Sequence, residues 1–191
     1  EDARWARAIA SHLRAAGAFG QALAPLHLAA RHLARTGDLE AAEACLGEYD
    51  EALEALGSEA APGARARRWL VEAELRRFQW RFDACRARAD QALTRAHELQ
   101  DPGLELLAEG ALARADFWQG RLASAAEHAA RALELARAGQ DPEVLAEHLR
   151  TAGNIAIDRG ELDDARAHFE EAIALWEQLE RPVQRAMGLE A

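Results

Sequence analysis

Residues 142–181 read PEVLAEHLRTAGNIAIDRGELDDARAHFEEAIALWEQLER, and this stretch predicts two helices joined at a glycine. Pro142 suits the first turn of a helix, where its missing N–H leaves no bond unmade, and Asp141 before it is a typical N-cap. Gly160 predicts the end of the first helix. Apolar residues at steps of three and four predict one buried face on the second helix: Leu162, Ala165, Phe169, Ala172, Ile173 and Trp176. We therefore expect a helical hairpin.

The hairpin belongs to an internal repeat with an interval of 40 residues. Four of the five prolines follow this interval, as Pro62, Pro102, Pro142 and Pro182. Small residues follow it too, as Cys45, Cys85, Ala125 and Ala165. Unrelated residue classes seldom share one register by chance, so the interval predicts about four hairpins. The predicted segments are N-terminal helices within 1–37, repeats at about 23–61, 62–101, 102–141 and 142–181, and a partial capping helix at 182–191.

The composition supports an all-helical fold. Alanine makes up about a quarter of the 191 residues, and β-branched residues are scarce. This usage favours helix and excludes a β-rich fold. The chain starts without methionine and stops inside a helical pattern, so we expect one all-α domain, 1–191, taken from a longer protein.

The charged residues narrow the classes of function. All 23 basic residues are arginine, and the formal net charge is −10. Without lysine the chain has neither a Walker A phosphate loop nor a Schiff-base lysine. An acidic balance is unfavourable for binding nucleic acid or an anionic membrane, and no apolar run approaches the roughly 18 residues of a membrane span. The N-terminus does not resemble a secretory signal, so we expect a cytoplasmic protein.

The candidate catalytic and metal-binding residues have simpler structural interpretations. Cys45 and Cys85 share a repeat position that alanine takes later, which predicts two buried free thiols at helix crossings. His128 and His168 also share a repeat position. A closed metal site, however, needs three or four ligands at characteristic spacings, so we interpret them as surface histidines. With no nucleophile-and-base motif either, the sequence predicts a protein without catalytic residues, cofactor or metal.

Three copies of the repeat carry small and aromatic residues in one shared pattern. The last copy has Leu149, Ala152, Gly153, Gly160, Leu162, Ala165, Phe169 and Ala172. The copy before it has Leu112, Gly120, Leu122, Ala125, Ala132 and Pro142, and the earlier one has Trp80 where glycine is usual. These residues resemble the tetratricopeptide repeat family, which implies a right-handed α-α superhelix of helical hairpins.

The length of the repeat is similar to the 40-residue type in helical adaptors and in bacterial multidomain signalling ATPases and Ser/Thr kinases. The N-terminal helices resemble those that precede the repeats in such regulators. The interval alone also allows HEAT or armadillo repeats. Small residues at the crossing positions Ala125 and Ala165 favour the tetratricopeptide interpretation.

The resemblance implies a binding groove lined by the first helix of each hairpin, where this family takes extended peptides or partner helices. The corresponding positions are Arg67, Leu70, Glu74, Arg77 and Phe78 in one copy, Gly110, Arg114, Phe117 and Trp118 in the next, and Glu147, Arg150, Asn154 and Asp158 in the third. Arginine beside aromatic rings suits an acidic or carboxylate-bearing peptide. The alternative, that the arginines only pair with Glu74, Glu147 and Asp158, stays open.

Three classes of function remain compatible with these residues. The first is a protein-interaction scaffold or sensor module of a bacterial signalling protein, binding a peptide or protein partner in the groove. The second is self-association through the uncapped ends of the repeat array, giving a homo-oligomer. The third is an all-helical enzyme with a pocket formed in three dimensions. A small-molecule inducer bound in the groove is a further alternative.

Overall fold

The described part of the chain is helical throughout. The computed structural model describes residues 2–179, with side chains from residue 5 onward. These residues form nine α-helices and no strand, which confirms the all-α class. The helices are α1 (Asp2–Ala15), α2 (Phe19–Thr36), α3 (Leu39–Leu56), α4 (Ala64–Phe78), α5 (Phe82–Leu99), α6 (Pro102–Trp118), α7 (Leu122–Gly139), α8 (Pro142–Arg159) and α9 (Leu162–Gln178). Pro182 and the predicted capping helix at 182–191 lie outside the described residues.

Successive helices pack in pairs, as the repeat predicts. Helix α1 packs on α2, α2 on α3, α4 on α5, and α8 on α9. The chain forms two compact units: the first unit runs to Leu104, and the second unit starts at Glu105. The earliest hairpin begins at Phe19, before the predicted start at about 23, and it holds Pro25 inside α2. The single domain and the right-handed superhelical course stay predictions.

An aspartate caps two of the three described helices that follow an interval proline, including the one predicted at Asp141. The Asp141 side chain accepts hydrogen bonds from the backbone N–H groups of Glu143 at 3.0 Å and Val144 at 3.2 Å. Asp101 accepts one from Leu104 at 3.0 Å. These bonds satisfy donors that the first turn of a helix leaves unpaired.

Helix α4 departs from this pattern, and the prediction that it begins at Pro62 is wrong. A short 3-10 turn at Gly57–Glu59 precedes it. The helix starts two residues after the proline, at Ala64, and its N-cap Gly63 has no side chain to accept a bond from the first turn. The Ala64 N–H instead donates to the Ala61 carbonyl at 2.9 Å.

The turn inside each later hairpin uses a left-handed residue. Gly120 and Gly160 have φ of 72° and 78°, and Trp80 takes the same place in the earlier hairpin with φ of 59°. Side chains disfavour this region, which is why glycine is usual there. Trp80 is also 71% exposed. The irregular residue of the repeat is therefore a strained, outward-facing tryptophan.

The cores consist largely of alanine, with a few large side chains. Cys45 and Cys85 are buried free thiols, as predicted. Trp176 is the largest fully buried side chain of the second unit, at 1% exposed. Leu162 is 66% exposed, so its predicted burial is wrong: as the first residue of α9 it stands at the turn rather than on the packed face.

Candidate partner-binding surface

Several of the predicted groove residues on α4 make contacts within the protein. Glu74 accepts a hydrogen bond from Arg31 of α2, with 3.1 Å between Oε2 and Nε. The Arg77 guanidinium lies over the Phe78 ring, 4.1 Å from its centroid. Phe78 itself packs against a core cluster that includes Leu75. This part of the predicted surface is therefore held by contacts within the first unit.

Two of the positions implied by the resemblance are not surface positions. Leu70 is 9% exposed and belongs to the core. Gly110 is buried against His148, and a Cβ placed on it would lie 2.4 Å from the imidazole Cε1. Glycine at this position lets the His148 ring approach the α6 backbone. Leu70 and Gly110 are thus packing residues, which corrects the expectation that they line a groove.

Helix α6 presents an exposed aromatic side chain at its end. Trp118 is 49% exposed. Its ring meets the edge of Phe117, with centroids 5.7 Å apart and planes at 73°. Phe117 packs against the core of the second unit and so fixes the base of the tryptophan. Arg114 lies one turn before Trp118 on the same face of the helix.

Helix α8 carries a row of four polar side chains. Glu147, Arg150, Asn154 and Asp158 follow at steps of three and four, which places them on one face. Arg150 donates to the Glu147 carboxylate from Nη2 at 2.9 Å and from Nε at 3.2 Å. Asn154 is half-buried and Asp158 is exposed. The alternative interpretation of a local ion pair therefore holds for Arg150.

A buried histidine lies between these two helices. His148 is 8% exposed. Burial, with a smaller contribution from the positive charge of Arg114, lowers the pKa of His148 to about 4. The imidazole is therefore neutral at pH 7. The Arg114 charge thus faces a neutral packing residue rather than a second cation.

The sequence-based interpretation missed a buried polar cluster in the second unit. His128 Nδ1 lies 2.6 Å from Glu109 Oε2, and its Nε2 lies 3.8 Å from Asp116 Oδ2. Asp116 is fully buried and accepts from Arg121 Nε at 2.9 Å. His128 is therefore not the plain surface histidine we expected. Among the described side chains, no group of three His, Cys, Asp or Glu residues is placed to hold a metal ion.

The first unit contains a second cluster that sequence reasoning missed. Glu72 is 4% exposed. It pairs with Arg76 and Arg88, each at 3.0 Å, and also with Arg68. Burial alone would raise the pKa of Glu72, but the three arginines outweigh it and hold that pKa below its ordinary value. The carboxylate is therefore charged and paired with arginines inside the fold.

The register of the repeat contained a signal for both clusters. Glu72 stands where the next copy has Leu112, and Glu109 stands where the next copy has Leu149. An acidic residue at a position that is apolar in other copies must either leave the core or find a cation there. The structure shows the second outcome in both units.

Comparison with known proteins finds similarity in fold but not in sequence. No protein-family model matches the sequence, and no curated protein matches it. A crystal structure of BtubC (BKLC) from P. vanneervenii is similar, with a TM-score of 0.68 at 16% sequence identity over 99% of this chain and 84% of that chain. At that identity the similarity concerns the fold alone. No described helix is long and apolar enough to cross a membrane.

Proposed function

We propose that this chain is a non-catalytic module of a cytoplasmic bacterial signalling or regulatory protein, and that it binds a peptide or protein partner on the first helices of its hairpins. The observation that carries the proposal is Trp118, which stays 49% exposed on a base formed by Phe117. Tryptophan and arginine dominate the binding energy of many protein interfaces. Arg114, one helical turn away, supplies the arginine.

In the second unit, which is acidic as a whole, Arg114 and Arg150 are the side chains of the predicted surface that a partner carboxylate could pair with. Arg114 and Arg150 belong to adjacent first helices, since α6 and α8 meet at the contact between Gly110 and His148. Glu147 already neutralises Arg150 at 2.9 Å. A partner carboxylate can approach Arg114 beside Trp118, whose ring is available to an apolar side chain of the same partner.

A selected peptide tests the proposal. Peptides of about ten residues are selected from a random display library against the immobilised chain, and the best one is labelled for fluorescence anisotropy. We expect acidic and apolar residues to be enriched. Arg114→Glu should weaken binding at least about tenfold without changing helical content, because a charge-assisted contact becomes a repulsion. Trp118→Ala should have a similar effect.

Arg166→Glu is the matched control. Arg166 lies on α9, is 77% exposed, and pairs with Glu170 at 2.7 Å. The Arg166→Glu substitution changes the net charge by the same amount as Arg114→Glu. It should leave peptide affinity within about twofold. Equal losses in the two variants, or binding that does not weaken with salt, would contradict a site on α6 and α8.

Self-association is a second candidate function, favoured by an exposed apolar pair on α1. Trp5 and Ile9 are 68% and 48% exposed and stand four residues apart on one helix face. Two such faces bury apolar area when they meet. Light scattering after size exclusion should then report a dimer that Trp5→Ser with Ile9→Ser converts to a monomer. A monomeric wild-type chain at all concentrations tested contradicts this candidate.

A further inference from the structure

The first unit contains a pocket of small-molecule size. Its volume is about 720 Å³, and α2, α3, the segment 61–63, the start of α4 and the end of α5 line it. Small-molecule sites commonly measure about 300 to 1,000 Å³ and combine apolar walls with a few polar groups. The apolar lining residues are Leu23, Ala24, Ala61, Pro62, Ala64 and Leu99.

Two polar lining residues already make hydrogen bonds within the protein. The Tyr49 hydroxyl donates a hydrogen bond to the Ala64 carbonyl at 3.1 Å, which ties α3 to the start of α4. Asp101 Oδ1 accepts from the Leu104 backbone N–H at 3.0 Å and so caps α6. The negative charge of Asp101 is thereby stabilised by a helix N-terminus.

The other two polar lining residues, His27 and Arg67, face the pocket with different chemistry. Arg67 is exposed, and it carries the positive charge among the described lining residues. His27 Nδ1 is buried without a hydrogen-bond partner in the described structure. Burial, with smaller contributions from the charges of Arg31 and Arg67, lowers the pKa of His27 to about 4, and Glu74 partly opposes this shift. Asp101 is held at the N-terminus of α6, so Arg67 is the charged lining group that can pair with an anion.

We propose that this pocket binds a small amphipathic carboxylate, with its apolar body against the alanine and leucine walls and its anionic group paired with Arg67. The proposal does not depend on partner binding by α6 and α8, because every lining residue belongs to the first unit. Arginine is the side chain best shaped to receive a carboxylate, through two parallel hydrogen bonds.

Two fluorescent probes with the same ring system test the proposal on the intact chain. One is 8-anilinonaphthalene-1-sulfonate, whose sulfonate stands in for the carboxylate, and the other is the uncharged N-phenyl-1-naphthylamine. Arg67→Gln should weaken binding of the anionic probe at least about fivefold and leave the neutral probe within about twofold. Octanoate should displace the anionic probe at concentrations at which 1-octanol does not.

Control variants test whether the probes bind in the pocket. Ala24→Leu adds a larger side chain to the wall on α2 and should weaken both probes, while circular dichroism stays unchanged. Arg35→Gln, an exposed arginine of α2 outside the lining, should change neither. Trp118→Ala should also change neither, so failure of this proposal is distinguishable from failure of the proposed function. Binding that survives Ala24→Leu, or an Arg67→Gln variant that weakens both probes equally, overturns the proposal.

Discussion

Each unit buries a glutamate at a position where the next repeat carries leucine, and the two units neutralise it differently. Glu72 of the first unit pairs with Arg68, Arg76 and Arg88. Glu109 of the second unit instead contacts His128, at 2.6 Å. Arginine keeps its charge at any pH that a folded protein meets, whereas histidine changes charge near neutrality. The first unit therefore holds its buried glutamate in an ion cluster of three arginines, and the second unit holds its own through a contact with one histidine.

The largest expected effect comes from removing the charge of Glu72. Glu72→Gln keeps the side-chain volume but removes the buried charge that the three arginines share. Arg68 keeps its pair with Asp50 and Arg76 its pair with Glu43, so we expect a loss of about 3 kcal/mol in the free energy of unfolding, at the lower end for a broken buried ion pair. Urea unfolding followed by circular dichroism measures it. The matched change, Glu109→Gln, should cost about 1 kcal/mol, because an amide still exchanges a hydrogen bond with His128. Equal losses in the two variants would contradict the expected difference in stabilisation between the Glu72 and Glu109 clusters.

The sequence predicts the helices well because their determinants are local. Caps such as Asp141 and the left-handed turn at Gly160 depend on neighbouring residues, so they can be read from a short window. The buried clusters depend on partners from other helices: Arg88 reaches Glu72 from α5. Periodicity does not show whether an acidic residue at a core position meets a cation. The pocket escapes sequence reasoning for the same reason, since it assembles from segments far apart in the chain.

Acid should destabilise both units through one neutral histidine in each. The pKa values of His27 and His148 are lowered from 6.5 to about 4 in the folded chain, chiefly by burial. The unfolded chain therefore binds more protons between these values, so stability is full above about pH 6.5 and falls as the pH decreases toward 4. Each histidine should account for a loss of about 2 kcal/mol over that interval.

The variants His27→Gln and His148→Gln test this pH dependence one unit at a time. Each should flatten the slope of unfolding free energy against pH between 6.5 and 4.5, and the double variant should flatten it most. Glu72 does not contribute in this interval, because its lowered pKa places its own loss of stability below about pH 4.5. An unchanged slope in His148→Gln would mean that its imidazole is protonated in the folded chain.

The smallest expected effect concerns the hairpin turn, which the two units build from different residues. Trp80 and Gly160 occupy the same repeat position, with φ of 59° and 78°. A side chain in this region costs about 1 kcal/mol, and Gly160→Ala should lower the free energy of unfolding by that amount. Trp80→Gly removes the same strain in the first unit. It also removes the edge contact between the rings of Trp80 and Phe82, whose centroids lie 5.9 Å apart.

The strain and the ring contact can be separated with a third variant. An aromatic pair is worth about 0.5 kcal/mol or more, so Trp80→Gly should raise the free energy of unfolding by about 0.5 kcal/mol. Trp80→Ala should lower it, because alanine keeps the strain and loses the contact. Thermal unfolding should therefore rank Trp80→Gly above the wild type and Trp80→Ala below it. If Trp80→Gly is instead less stable than the wild type, the ring contributes more to the fold than its strained backbone costs. The exposed tryptophan would then be a structural residue of the first unit.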